Sequence, residues 1–425
     1  MSVGNAVVYG SILDSQRMPL KARALICFSH LRWGFVWQRP QHLLARFARD
    51  LDVYVVEEPE IVESRTAAEL RVEQRDGVTV MTPLLPPSDK PAYGFNRTTN
   101  PAIARLLTPF FRERGLLGGG SSSVILWYYT PMALGAAPDR LDRALVVYDV
   151  MDELANFRGA PAALREREAA LLARADLVFA GGPSLYASRE HRHPRVYCFP
   201  SGVDAEHFAN GKRASELDRL APPIVGFYGV IDERMDLDLV AGIADLRPRW
   251  TIVMIGPTAK IAREDLPSRP NIFYPGKRDY ADLPSCLACF DAAILPFARN
   301  DATRFISPTK TLEYLAAGKP VVSTPIRDVI DLYGSAVEFG ETPGEFVDAI
   351  ERLWSEPAGL RQLRRDATRR LVAEHSWDEI VAGVRAHIDA ALTRQATQSP
   401  ALLTPAIAIP NLMTSGDPLV ATTAD

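Results

Sequence analysis

A lysine and a glutamate, three residues apart, begin a predicted helix in the last third of this chain. Ser307 suits the N-cap of that helix, and Pro308 suits its first position, where the missing N–H costs nothing. Lys310 then lies in the first turn, with Glu313 on the same face. A helix N-terminus attracts anions, so the lysine completes a diphosphate site while the glutamate accepts two ribose hydroxyls. The spacing is typical of a nucleotide-sugar donor site; a surface Lys and Glu on an ordinary helix is the alternative.

Three carboxylates, Asp149, Asp152 and Glu153, stand at and just beyond the end of a predicted strand. The carboxyl ends of parallel strands face the ligand crevice of a sheet. Sugar transfer to a hydroxyl needs a base to take the proton if the outcome is inversion, and apolar neighbours raise the pKa of a carboxylate toward that role. We favour Asp152 as the base. Two alternatives stay open: the D-x-x-D spacing binds a metal, or Asp152 caps the following helix.

The loop after the first predicted strand is rich in aromatic and basic side chains. Aromatic faces stack on the C–H bonds of pyranose rings, and arginines bind phosphates or carboxylates in a forked geometry. The loop is therefore a candidate acceptor site, unless its aromatics pack a domain interface instead. The candidate residues are His30, Arg32, Trp33, Trp37 and Arg39.

The donor segment resembles the donor-binding helix of GT-B glycosyltransferases, especially family 4, which carries a ribose-binding Glu next to an A-x-G-x-P-V-V run. Glu313 and the run from Ala317 to Val322 match that pattern, and the Ser-Pro-x-Lys start resembles a sub-branch near teichuronic-acid-type glycosyltransferases. One departure concerns the second Glu of the family, eight positions earlier, where this chain has Phe305. Asp301 and Asn300 are nearby substitutes for it.

The resemblance implies further donor-binding residues. Gly229 matches the glycine of the family's Gly-Arg turn and would let backbone approach phosphate. Val230 replaces the arginine of that turn, and Arg234 lies close to the position of the lysine that follows; its alternative role is a surface ion pair. Gly256 matches a Gly-Pro turn. Ser307 and Thr311 complete the predicted set, and GT-B enzymes generally need no metal, so none is expected.

The elements that must position these residues form two consecutive α/β units. Apolar runs alternate with helical patterns, as in parallel sheets covered on both faces. The first set of predicted strands is Ala24–Ser29, Val53–Glu58, Val78–Thr82, Val124–Tyr129, Leu145–Val150, Leu177–Ala180 and Val196–Pro200. The second set is Ile224–Gly229, Thr251–Ile255, Ile272–Tyr274, Ala292–Pro296, Pro320–Ser323 and Val337–Phe339.

The sequence therefore predicts two doubly wound Rossmann-like domains that face a central cleft, which is the GT-B fold that the resemblance implies. Residues 21–209 form the acceptor-side domain and 224–376 the nucleotide-sugar domain, joined by a linker over 210–223. An amphipathic helix over 377–394 crosses back to the first domain. Residues 1–20 are expected to be a loose leader and 395–425 a disordered tail.

Composition narrows the class of protein. The net charge of -4 gives no argument for a nucleic-acid partner, and four cysteines in 425 residues are too few for a disulfide framework. Cys286 and Cys289 form a lone C-x-x-C, which does not make a zinc site. No apolar run is long enough to span a bilayer. The cytoplasm is the expected location, with the inner face of the membrane as a variant, where the segment Asn100–Gly115 would touch the lipid unless it is an interior helix.

We interpret the chain as a glycosyltransferase that moves a sugar from a UDP- or GDP-sugar to a hydroxyl acceptor, and no separate cofactor is expected. Cell-envelope or exopolysaccharide assembly follows from the resemblance, with a saccharide or a lipid-linked saccharide as acceptor. Two alternatives belong to other classes. A GT-B-fold nucleotide-sugar epimerase would form product from donor alone, and a nucleotide-binding protein without turnover would bind the donor and release it unchanged.

Overall fold

The structure is a computed structural model that describes residues 22–87, 93–119 and 123–398. The predicted leader over 1–20 and the tail from 399 onward lie outside the described residues. Two sheets organise this part of the chain, one in each half. Their strands are β1 (Ala24–Ser29), β2 (Asp52–Glu57), β3 (Glu60–Ile61), β4 (Glu69–Arg75), β5 (Val78–Leu85), β6 (Val124–Tyr128), β7 (Arg143–Val150), β8 (Leu177–Ala180), β9 (Val196–Cys198), β10 (Ile224–Tyr228), β11 (Thr251–Ile255), β12 (Ile272–Gly276), β13 (Ala292–Leu295), β14 (Val321–Ser323) and β15 (Glu338–Phe339).

The helices cover both faces of each sheet, since the strands are apolar on both sides. In chain order they are α1 (Arg39–Phe47), α2 (Thr99–Glu113), α3 (Leu164–Leu172), α4 (Pro183–Ala187), α5 (Ala205–Ala209), α6 (Leu237–Leu246), α7 (Leu283–Ala288), α8 (Lys310–Ala316), α9 (Arg327–Tyr333), α10 (Pro343–Ser355), α11 (Ala358–Glu374) and α12 (Trp377–Gln398). Short 3-10 helices stand at Pro131–Ala133, Leu154–Asn156, Arg263–Asp265 and Tyr280–Asp282.

Both sheets have the doubly wound order that places a ligand crevice at a switch point. The first runs β3-β5-β2-β1-β6-β7-β8-β9 and the second β12-β11-β10-β13-β14-β15, with parallel pairing between these neighbours. In each sheet, the strands that follow in the chain are added first on one side of the initial strand and then on its other side: β2 and β6 flank β1, and β11 and β13 flank β10. A crevice therefore forms at the carboxyl end of β1 and another at the carboxyl end of β10. The loop after Ser29 and the turn at Gly229 therefore lie where the sequence predicts ligand sites.

An antiparallel strand at the edge of the first sheet was not predicted. Strand β4 pairs with β5 through the two-residue turn Asp76-Gly77, in which both residues have positive φ, 50° and 81°. Five of its seven side chains are polar and four of the seven residues are exposed, so the apolar runs that identify buried strands are missing. The Asp-Gly pair was the available signal, because that dipeptide favours the tight turn of a hairpin.

The C-terminal helix crosses back to the first domain, as predicted. Trp377, Ile380, Val384 and Ile388 of α12 are buried in one apolar cluster with Leu25 of β1 and its neighbours. The helix continues to Gln398, four residues beyond the predicted end at 394, and the side chain of Gln395 donates to Asp176 at 3.2 Å. The predicted start of the tail at 395 is therefore too early.

We expect Trp377→Ala to destabilise the first domain strongly. The indole is 1% exposed and stacks on His42 with ring centroids 4.4 Å apart. Truncation of a buried tryptophan costs about 3–5 kcal/mol of unfolding free energy. Urea denaturation of the full chain measures this change, and Glu379→Ala on the exposed side of the same helix is the control. A Trp377→Ala protein as stable as this control would contradict the docking of α12.

Residues before and within the predicted linker belong to the second domain by packing. Val203, Phe208 and Leu217 are 1%, 1% and 4% exposed, and all three lie in the apolar cluster of the second sheet. The predicted domain boundary at 209 and the linker over 210–223 therefore do not coincide with the packing, because polar composition hides the few apolar anchors of this segment.

Candidate active site

Two glycines bring the second crevice close to helix α8. Gly229 and Gly256 both have a φ of 145°, which favours glycine. A Cβ on Gly256 would overlap the Gly229 carbonyl oxygen, and a Cβ on Gly229 would overlap the Lys310 side chain. The stem of Lys310 thus lies directly on the backbone of the β10 turn. Three predicted donor residues from separate parts of the sequence meet here.

Helix α8 begins two residues later than the sequence predicts. Its first residue is Lys310, with Thr309 at the N-cap, so Ser307 and Pro308 precede the helix rather than start it. The hydroxyl of Thr309 instead donates to Ser201 of the first domain at 3.1 Å, and Thr309 already has helical backbone angles. The C-terminal end is as predicted. Gly318 has a φ of 68°, and Lys319 and Gly318 donate to Tyr314 and Leu315 as in a Schellman motif.

Glu313 is buried one turn into α8. Its side chain is 5% exposed and accepts a hydrogen bond of 2.6 Å from the Tyr228 hydroxyl. Burial raises the pKa of Glu313, while the Tyr228 hydrogen bond and Lys310 act in the opposite direction. Burial also lowers the pKa of Lys310, and Glu313 opposes that shift. Tyr228 was not predicted as a site residue, because it lies in an ordinary apolar strand.

Arg234 forms a forked ion pair with Asp232, with Nη2 to Oδ2 at 2.7 Å and Nε to Oδ1 at 2.9 Å. The side chain of Arg234 is 24% exposed and lines the cleft beside Lys310. Arg234 therefore forms an ion pair, which is its alternative role, and it also lines the cleft, as its predicted role in donor binding requires. Asp232 reduces the net positive charge at this part of the site.

Two predicted hydroxyls have no hydrogen-bond partner among the described residues. Ser307 Oγ and Thr311 Oγ1 are both buried atoms, although Ser307 belongs to the lining of the cleft. Buried hydroxyls are normally satisfied, so these two are candidates for bonds to a bound ligand. Thr311 is completely buried and does not belong to the lining of the cleft.

The three predicted acids have different surroundings. Asp149 is 0% exposed and accepts from Nε of buried Arg39 at 3.0 and 3.1 Å. Glu153 pairs with Arg189 at 2.8 Å. Asp152 lines the cleft opposite Lys310 and Arg234. We therefore correct the candidate role of Asp149, which forms a structural ion pair with Arg39 inside the first domain and does not line the cleft. Arg39 also belongs to the lining of the cleft.

The electrostatic environment of Asp152 suits a base near neutral pH. Burial raises the pKa of Asp152 to about 6, and nearby Asp232 adds to the increase. Arg234, Lys310 and Lys260 oppose it from the second domain. A carboxylate with this pKa is ionised at pH 7 and still basic enough to accept a proton. Lys260, which the sequence did not single out, also lies 4.6 Å from the Phe157 ring beside this segment.

The predicted acceptor loop is mostly occupied by contacts within the protein. Trp33 is 4% exposed, and its indole N–H donates to Asp76 at 2.8 Å. Trp37 stacks on Tyr280 of the second domain with centroids 5.8 Å apart. Both tryptophans therefore have the alternative role of packing, Trp33 within its own domain and Trp37 at the domain interface, and we correct their assignment to the acceptor.

Arg32 and His30 are the two remaining candidates of this loop. Arg32 donates to Glu57 at 3.1 Å and is 38% exposed. Burial lowers the pKa of His30 to about 4, and Lys260 lowers it further, so the ring is neutral at pH 7. His30 Nδ1 is buried without a hydrogen-bond partner among the described residues. A neutral imidazole with a free ring nitrogen remains a candidate contact for a sugar hydroxyl.

The cleft between the domains is closed. The space between Asp152 and Lys310 measures about 80 Å³, whereas ligand pockets usually measure at least about 300 Å³. Asp328 of α9 accepts from the Ser184 backbone at 3.1 Å, and Lys277 donates to the Gly34 carbonyl at 3.2 Å, so both contacts bridge the domains. A nucleotide sugar would enter only after the domains move apart.

Phe305, at the position where the resembled family has a glutamate, is a contact between domains. Its side chain is half-buried and packs against the apolar cluster on one face of the first sheet. Asn300 and Asp301, the suggested substitutes, are held by backbone contacts: Asn300 donates to the Glu233 carbonyl at 3.3 Å, and the Asp301 carbonyl accepts from Asn156 at 3.0 Å.

Comparison with known proteins agrees with this geometry. Residues 222–356 match a family model described as "Glycosyl transferases group 1". A curated relative, the putative teichuronic acid biosynthesis glycosyltransferase TuaH of Bacillus subtilis (strain 168), is 25% identical over 307 residues, which cover 66% of this chain and 76% of that protein.

Solved structures of GT-B glycosyltransferases share the fold at low sequence identity. Sucrose-phosphate synthase from Thermosynechococcus elongatus has a TM-score of 0.60 at 14% identity, covering 88% of this chain and 99% of that one. An E. coli protein solved with bound UDP-2-fluoro glucose has a TM-score of 0.62 at 12% identity, covering 86% of this chain and 99% of that one. Anabaena HepE in complex with UDP and glucose has a TM-score of 0.59 at 12% identity, covering 87% and 100%. The GT-B prediction is confirmed.

Proposed function

We propose that this chain, a glycosyltransferase whose residues 222–356 belong to the group 1 glycosyl transferases and whose fold is GT-B, transfers a sugar from a nucleoside diphosphate to a hydroxyl. The observation that carries the proposal is the meeting of Lys310, Glu313 and the Gly229 turn at the crevice of the second sheet, opposite Asp152. The arrangement joins a cation for a diphosphate, a carboxylate for a ribose and a base for an acceptor.

The donor role is divided among three groups in this proposal. The Lys310 ammonium and the free N–H groups at the start of α8 bind the diphosphate and stabilise the charge that develops as it leaves. The Glu313 carboxylate accepts from the ribose hydroxyls through the oxygen that Tyr228 does not occupy. Arg234 adds a second cation whose field Asp232 partly offsets. We propose UDP as the nucleotide, because two of the structural neighbours were solved with UDP or a UDP-sugar; GDP is the alternative.

The acceptor hydroxyl approaches Asp152 from the first domain. Its proton moves to the Asp152 carboxylate as the new bond to the anomeric carbon forms and the bond from that carbon to the diphosphate oxygen breaks. Domain closure reduces the space to the small volume seen here and keeps water from attacking the donor. Closure also brings Lys310 and Arg234 near Asp152, so the donor site and the base are complete only in the closed state.

We place the reaction in the assembly of a cell-envelope polysaccharide, with a saccharide or lipid-linked saccharide as acceptor. Similarity to a relative named for teichuronic acid biosynthesis supports this pathway. Among the described residues, no helix is both long and apolar enough to cross a membrane. We propose a site of action at the inner face of the membrane, where a lipid-linked acceptor would be reached from the cytoplasm.

A thermal-shift panel tests the proposed function. UDP, GDP and their common sugar conjugates are added to the full chain, and a ligand that binds the native state raises the melting temperature. The conjugate with the largest shift then serves as donor in a product assay with saccharide acceptors. Absence of any shift would contradict the donor site. Conversion of the donor alone to an isomer would instead identify an epimerase.

We expect transfer to survive a chelator. Among the described residues, no group of three or more His, Cys, Asp or Glu side chains could hold a metal ion. Lys310 and the helix N–H groups would supply the positive charge that a divalent ion supplies elsewhere. Initial rates in EDTA and in Mg²⁺ should agree within about twofold. Loss of transfer in EDTA and recovery with a divalent ion would contradict this prediction and return the D-x-x-D acids to a metal-binding role.

A further inference from the structure

A second cavity lies between the two domains and shares no lining residue with the donor cleft. It measures about 500 Å³, within the usual range for ligand sites. The first domain contributes the 3-10 helix at Leu154–Asn156 and the start of α3, and the second contributes residues 301–305. Glu153, the neighbour of Asp152 in the chain, belongs to its wall, while Asp152 itself lines the donor cleft.

Two acidic side chains in this wall are already neutralised. Arg189, only 1% exposed, binds Glu153 at 2.8 Å and Glu168 at 2.6 Å. Arg192 binds the second oxygen of Glu168 at 2.9 Å. Asp301 at the rim is exposed to water. Four arginines, three in the lining and Arg189 behind it, therefore face three carboxylates, and the net charge is positive.

The two remaining arginines have no carboxylate partner among the described residues. Arg165 is the second residue of α3, where the partial positive charge of the helix N-terminus disfavours a cation. Arg304 lies 5.4 Å from the Phe305 ring on the opposite wall. Both arginines are exposed and belong to the wall of the cavity. The two guanidinium groups therefore create a site that favours an anionic ligand.

This cavity has more room for an acceptor than the loop that the sequence predicts. In the loop predicted to bind the acceptor, Trp33 is buried and Trp37 stacks on Tyr280. The buried guanidinium group of Arg39 forms an ion pair with Asp149. The larger cavity has the volume, an aromatic ring at Phe305 and, in its wall, Glu153, the neighbour of Asp152 in the chain. Phe305, which replaces the glutamate of the resembled family, removes a negative charge from this wall.

We propose that this cavity binds the acceptor through an anionic group, a phosphate ester or a carboxylate, held by Arg165 and Arg304. The inference rests on the proposed function and deepens it, because it names the chemical class of the acceptor. Arginine forks match both anions, and Phe305 offers a face for the sugar ring. A reaction that phosphorylates a sugar, or one that oxidises it to a uronic acid, must then precede this transfer.

Calorimetry in the presence of UDP tests the proposal without depending on turnover. Glucose, glucose 6-phosphate and glucuronic acid are titrated into the full chain and into the Arg165→Ala/Arg304→Ala double variant. We expect the wild-type protein to bind at least one of the two anionic sugars, to bind it more tightly than glucose, and to lose at least about tenfold in the double variant. The preference between the two anions distinguishes a phosphate acceptor from a carboxylate acceptor.

Two controls separate this proposal from the proposed function. UDP affinity is measured in the same double variant and should not change, since neither arginine lines the donor cleft. Arg105→Ala removes an exposed arginine of α2 and should leave sugar binding intact. Absence of binding of both anionic sugars, or equal binding by the double variant, would overturn the anionic acceptor while leaving the donor site in place. If the wild-type chain does not bind UDP, that result would instead contradict the proposed function.

Discussion

An Asp152→Asn variant is expected to lose about 10²–10⁴-fold in kcat while its affinity for the nucleotide stays within about twofold. The substitution keeps the size of the side chain and removes its basicity, and a positioned general base contributes a factor of that order. Asp152 lines the cleft opposite Lys310, whereas Asp149 is sealed in an ion pair with Arg39. Initial rates at saturating donor and acceptor measure the effect on kcat.

The pH dependence provides an independent test of the same residue. Burial raises the pKa of Asp152 to about 6, so the carboxylate is ionised above that pH and protonated below it. The wild-type rate should therefore fall as the pH decreases through about 6, and this acidic limb should be missing from the residual activity of Asp152→Asn. Nucleotide affinity measured over the same pH range would show whether weaker donor binding contributes to the decrease in rate at acidic pH.

Glu153→Gln is the comparison variant: it changes the adjacent carboxylate, which pairs with Arg189 in the wall of the second cavity and does not line the donor cleft. We expect a much smaller loss of kcat from it. Near-normal turnover in Asp152→Asn would exclude this residue as the base. A retaining mechanism, in which the donor phosphate itself accepts the proton, would then explain the reaction without an enzyme base.

The sequence was sufficient for the fold because the strands carry their own signal. Residues such as Val53, Val55 and Val56 in β2 are apolar on both faces, as a covered parallel sheet requires. The resemblance around Glu313 then selected GT-B among the doubly wound folds. Strand β4 was missed because its partly exposed polar side chains have no such pattern.

The side-chain roles were harder to predict, because they depend on partners far away in the sequence. Lys310 and Gly229 could be joined through the resemblance, and the structure brings them into contact. Arg39 is separated from Asp149 by 110 residues, and nothing local distinguishes a buried ion pair from two exposed ligand-binding groups. Trp37 likewise requires knowledge of Tyr280, on another domain, before its packing role is evident.

The cationic donor site should be the most sensitive part of the second domain. We expect Lys310→Ala to weaken nucleotide binding by about 1.5–3 kcal/mol, or roughly 10–150-fold, since it removes a charge-assisted bond to phosphate. Burial lowers the pKa of Lys310, although Glu313 opposes the shift, so pairing with a diphosphate would stabilise the charged form. Calorimetry with UDP and with uridine isolates the contribution of the diphosphate to the binding free energy, because Lys310→Ala should have little effect on uridine binding.

Glu313→Ala is expected to give the complementary pattern. The carboxylate that Tyr228 orients at 2.6 Å would no longer accept the ribose hydroxyls, so UDP and uridine should both bind at least about tenfold more weakly. Lys212→Ala, on an exposed residue outside the cleft, is the control for a general loss of positive charge. Unchanged UDP affinity in both Lys310→Ala and Glu313→Ala would remove helix α8 from the donor site. Equal losses for UDP and uridine in Lys310→Ala would show instead that the lysine holds the helix in place and does not bind phosphate.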